Sequence, residues 1–117
     1  MYQVKQVKTN TTMSKTTLTR TNNISGTSYY GATIISSVNK IAEALGEPHY
    51  EDRCVDEKVS VEWDFETENG VVFTIYDWKE YSCPACTNRD RKYAFHIGVK
   101  NGYECDEVLE ILKEYGL

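Results

Sequence analysis

Only two prolines and two histidines occur in this 117-residue chain, and no Asp or Glu precedes Glu43. No apolar run approaches the ~18 residues of a membrane span, and the N-terminal stretch MYQVKQVK lacks the apolar core of an export signal. A cytoplasmic protein with no membrane association is the expectation. An acid-free, Thr/Ser-rich start also invites comparison with an organelle transit peptide, but with one Arg and no helical apolar stripe it fits that class poorly. The sequence has no serine or cysteine nucleophile signature, no phosphate-cradling glycine loop and no paired-histidine metal motif. Conventional enzyme chemistry therefore has no motif to rest on, and a non-enzymatic protein is expected.

The composition is 40% hydrophobic, 26% charged and 12% aromatic, with nine tyrosines, which describes one globular domain with a single core. Charge is divided unevenly. Residues 1–42 carry five bases and no acid, and the remainder carries eight bases and eighteen acids. Such a division neutralises itself within the molecule or presents opposite faces to partners. Nucleic acid is an unfavoured partner: the isoelectric point is about 5.0, and the one basic cluster near aromatics, Arg89, Arg91 and Lys92, is short.

Periodicity divides the chain into elements. Residues 1–30 form a Thr-rich, basic segment, with alternation over residues 2–8, that reads as edge strands with polar turns at Thr21-Asn22-Asn23 and Ser25-Gly26. Ile34, Ile35, Val38, Ile41, Ala42 and Leu45 form the apolar stripe of a helix over 33–46, ended by Gly46 and Pro48. Antiparallel strands are expected across 58–99. Val59, Val61, Trp63 and Phe65 alternate with polar residues, Asn69-Gly70 supplies a tight turn, and 71–79 runs back. A three-residue loop with Gly70 left-handed joins Phe65 with Phe73 and Trp63 with Ile75 on the core face, leaving Tyr76 and Trp78 on the other. A third strand over 92–99 directs Tyr93, Phe95, Ile97 and Val99 one way and Ala94, His96 and Gly98 the other. A last helix spans 105–115. The expected fold is α+β: an antiparallel meander of three or more strands packed with two helices in a single two-layer domain.

Two constellations could carry chemistry. Cys83-Pro84-Ala85-Cys86 has the spacing of half a tetrahedral thiolate site, so zinc is the cofactor to consider if there is one. Cys54, in the polar run Glu51-Asp52-Arg53-Cys54, is the first candidate for a third ligand, ahead of Cys105 on an apolar helix side; His49 or His96 could also contribute. A redox role is disfavoured, since the cysteine pair sits in a hairpin loop rather than a βαβ unit. Ordinary loop and core cysteines are the competing reading. The second constellation is Tyr76, Asp77, Trp78 and Lys79 beside His96. If their strands are neighbours, stacking rings, a cation and an imidazole would clamp a planar ligand carrying phosphate. Gly98 would admit a close approach. Aromatics on both faces of a strand are equally the mark of a strand covered on both sides.

Val61-Glu62-Trp63, Thr74-Ile75-Tyr76-Asp77-Trp78-Lys79 and His96-Ile97-Gly98, with Leu45-Gly46-Glu47-Pro48 upstream, resemble motifs of small bacteriophage accessory proteins. The resemblance spans roughly Leu45 to Gly98 and implies an anti-defence role in the host cytosol. In that role the protein would sequester a nucleotide-derived immune signal or cap a host defence protein, with self-association left open. The loop from Ser82 to Arg91 has no counterpart in the resemblance. An acidic inhibitor of a basic host protein and a small zinc-stabilised interaction domain are the alternative expectations.

Overall fold

The computed structural model describes residues 15–51 and 58–117. Eight elements are present among them: β1 (Leu18–Arg20), β2 (Ser28–Ser36), α1 (Val38–Leu45), β3 (Tyr50–Glu51), β4 (Val61–Thr67), β5 (Val72–Tyr76), β6 (Tyr93–Val99) and α2 (Cys105–Glu114). Every strand pairing is antiparallel, in the order β1-β4-β5-β6-β2, with β3 also on β4. The domain is α+β, as its periodicities predict. No helix among the described residues is long and apolar enough to cross a membrane. The alternation over residues 2–8 lies outside the described residues.

The central meander follows the expected register. Trp63 pairs with Ile75 and Phe65 with Phe73. At the β4–β5 turn the Gly70 N–H donates to Thr67 O and Gly70 adopts φ +88°, a left-handed conformation that strains any residue with a Cβ. On the inner face Trp63, Phe73, Ile75, Phe95, Ile97 and Val99 are fully buried, together with Val38 and Ile41 of α1 and Val108 and Leu112 of α2. Burial of a large apolar side chain stabilises by roughly 1.5–3 kcal/mol, so this layer supplies most of the driving force. The Trp63 Nε1–H donates to Gly46 O at 2.8 Å, tying the end of α1 to the sheet.

The helix expected over 33–46 begins later, because residues 33–36 belong to β2. Within Ala32 to Ser36 burial alternates with period two: Ala32, Ile34 and Ser36 face inward, whereas Ile35 is 65% exposed. The β-branched run Thr33-Ile34-Ile35 suits a strand paired with β6. Ser37 then ends the strand with extended backbone and caps α1, its Oγ accepting the Lys40 N–H. The helical stripe was thus the overlap of two periods. A β-bulge between Tyr29 and Thr33, with Gly31 at φ +104°, kinks β2 near its middle.

Asp77 also differs from expectation. It was placed beside Lys79 on the ligand-facing side, yet it is 1% exposed and points inward. One carboxylate oxygen accepts the N–H groups of Ser60 (2.7 Å) and Val61 (3.0 Å); the other accepts the Ser60 hydroxyl (2.6 Å) and the Ala85 N–H (3.3 Å). Ser60 Oγ in turn accepts the Cys86 N–H. A buried carboxylate is tolerable only when donors surround it, and here they come from the start of β4 and from the cysteine loop. Asp77→Ala strands these donors in a dry site, so chemical denaturation should show a loss of ~3 kcal/mol or more. Asp77→Asn, which keeps one acceptor oxygen, should lose less.

Candidate functional site

Antiparallel pairing places two rows of side chains on the outer face of the sheet. One row runs Glu62, Tyr76, His96, Thr33 across β4, β5, β6 and β2; the next runs Asp64, Thr74, Gly98, Tyr29. Gly98 has no side chain, so the ring of its partner Tyr29 lies against His96, with centroids 3.9 Å apart and planes 15° from parallel. Tyr76 meets the imidazole edge-on at 5.5 Å, and Trp78 lies near-parallel to it at 5.9 Å. Tyr76, Trp78 and His96 therefore converge on one face, with Tyr29 as a fourth ring that sequence reasoning missed. Tyr29 is separated from the motif by most of the chain, and its strand pairing was not legible.

Trp78 is 38% exposed and flanked by two ammonium groups, Lys79 Nζ at 5.5 Å and Lys58 Nζ at 5.9 Å from the ring. Their backbones are joined, the Lys79 N–H donating to Lys58 O at 2.7 Å. Lys79 adopts φ +58°, unusual for a residue with a side chain. Among the described residues neither lysine forms a salt bridge.

Beside the rings lies a cleft of about 210 Å³. Ile24, Thr27 and Ser28 border it from the segment entering β2, and Val59, Glu62, Tyr76 and Trp78 from the meander, with Thr74 and Gly98 between. A larger groove of about 560 Å³ runs between β2 and α2, past Ile34, Leu109 and Leu117. None of the clustered rings borders that groove, so the smaller cleft is where the chemistry gathers.

Glu62 is the unexpected member. Its carboxyl is pushed up to about 8, first by burial and then by the hydrogen bond and charge of Asp64. The register that pairs Trp63 with Ile75 also sets Glu62 opposite Tyr76, so its position could have been read from the hairpin. Burial lowers the His96 pKa and keeps the ring neutral near pH 7; its Nδ1 is buried without a hydrogen-bond partner among the described residues. Tyr76 is raised, mainly by burial and then by Glu62 and Tyr29. His49 serves the fold. Its Nδ1 accepts the Asp64 N–H at 2.6 Å, and burial followed by the Arg20 charge lowers its pKa.

The cysteine loop is separate. Cys86 is buried in the core cluster and Cys83 is half-buried, its carbonyl accepting the Tyr93 hydroxyl at 2.6 Å. Among the described residues no three His, Cys, Asp or Glu side chains are grouped to hold a metal ion. Cys54, the expected third ligand, lies outside the described residues. The chain matches no protein-family model, and no curated protein is significantly similar to it.

Two measurements follow from this geometry. A Cβ on Gly98 would meet Thr74 Oγ1 at 2.5 Å, so Gly98→Ala should destabilise by about 1–3 kcal/mol. Thr74→Ala in the same chain should recover much of that loss, a non-additivity that a double-mutant cycle detects. Glu62 holds its proton more tightly folded than unfolded. Its contribution is therefore complete below the unfolded value near 4.5 and is lost as pH rises through about 8. The melting temperature of Glu62→Gln relative to the parent protein should climb across that window, and a pH-independent difference would contradict the raised carboxyl.

Proposed function

We propose that this protein is a non-enzymatic binder that sequesters a nucleotide-derived signal at the outer sheet face. The observation that carries the reading is the Trp78 indole, exposed between two lysine ammonium groups at the mouth of the cleft beside Tyr76 and His96. Exposed rings offer a sequence-tolerant stacking platform for a base, and paired cations beside them suit phosphate. Holding two like charges together over one ring is unfavourable in isolation and is relieved by an anion. The resemblance to phage accessory proteins gives the setting, capture of a host immune signal in an anti-defence role.

Titration of tryptophan fluorescence, with calorimetry in parallel, against nucleoside monophosphates, cyclic oligonucleotides and ADP-ribose derivatives tests the reading. Binding to at least one member at micromolar concentration is expected, weakened about tenfold or more by Trp78→Ala and made less salt-sensitive by Lys58→Gln with Lys79→Gln. Silence across the whole panel would remove it.

A further inference from the structure

Glu62 occupies a position where the fold has no use for a carboxyl. It sits mid-strand on the sheet face, opposite Tyr76 on one side and Tyr50 on the other, half-buried, and without a salt bridge among the described residues. A Thr or Val would fill such a site without the desolvation that a carboxyl suffers. Its one close acidic neighbour, Asp64, lies two residues away on the same face. The Glu62–Asp64 hydrogen bond occupies the shared proton, so what Glu62 offers the cleft it lines is a lone pair. Lys58 and Lys79 lie at the other end of the cleft's meander wall, around Trp78.

Resting on the binding reading above, we propose that Glu62 is the specificity-determining residue of the cleft and selects a heterocycle bearing an exocyclic amino group. The amino N–H donates to the free carboxyl oxygen while the ring stacks among Tyr76 and Trp78 and the phosphate end meets the lysines. A carbonyl in place of the amino group sets lone pair against lone pair. The ring N–H of uracil does not rescue the contact, since it is flanked by two carbonyls that face the same carboxyl oxygen. A site that leaves a buried polar group unpaired rejects the analogue strongly.

Matched pairs that differ only in that substituent decide the question: cytidine against uridine monophosphate, and adenosine against inosine monophosphate, each titrated into the full chain. The amino member should bind roughly tenfold more tightly in at least one pair. Glu62→Gln, whose amide both donates and accepts, should reduce that preference to about twofold or less by binding the carbonyl member better. Glu66→Gln, on the same strand face but outside the cleft, should leave the preference intact. Equal binding within both pairs, a preference that survives Glu62→Gln, or one that Glu66→Gln also abolishes would overturn the assignment while leaving nucleotide binding standing. Failure of every nucleotide to bind would overturn the binding reading and this inference with it.

Discussion

The outer-face site depends on a carboxylate that faces away from it. Asp77 gathers donors from Ser60, Val61 and Ala85, three residues that the chain brings in from two separate directions. The gain lies less in the bonds themselves, each worth about 1 kcal/mol net, than in the penalty avoided by leaving no buried donor orphaned. With Asp77 committed inward at the end of β5, its neighbour Trp78 is turned outward toward His96. The Lys79 N–H then closes onto Lys58 O. The same carboxylate holds the cysteine loop, because Ser60 Oγ passes the connection to Cys86. A position that reads as a surface acid is thus the internal anchor from which both the aromatic cluster and the loop are aimed.

Chemically the two sheet faces are opposites. The inner one is apolar and closed by α1 and α2, and its side chains fill space. Neutral imidazole, raised phenol and raised carboxyl crowd together on the outer one, each displaced from its ordinary titration in the direction that burial favours. Such a set is destabilising for a free-standing domain, and perturbed groups of this kind collect where a protein binds or reacts. The cations stand apart from the acids, at Trp78, so the cleft has a proton-holding end and an anion-seeking end.

Much of the architecture was legible because strict alternation with a tight turn leaves one register consistent with burial of Trp63, Phe65, Phe73 and Ile75 together. The last helix was legible for the same kind of reason, an apolar side at helical spacing closed by Gly116 at φ +82°. Where two periods overlap the reading failed: Ile34 and Ile35 fit a helical stripe and a strand alike. Pairing with β6 decides between them, and a strand partner some sixty residues away leaves no local trace. Half of the site was legible, since Tyr76, Trp78 and His96 follow from alternation once β5 and β6 are neighbours.

By itself the sequence determined the local periods, the turn at Gly70, the caps and the outward direction of the Tyr76–His96 pair. These depend on neighbours within a few residues, or on a hairpin whose loop dictates register. Only the tertiary structure decided that Tyr29 stacks on His96, that Lys58 joins Lys79 at Trp78, and that Asp77 turns inward rather than toward a ligand. Each of those outcomes is a competition for partners among segments distant in the chain. A carboxylate goes where enough donors converge to replace its water, and that convergence exists only once the sheet has closed.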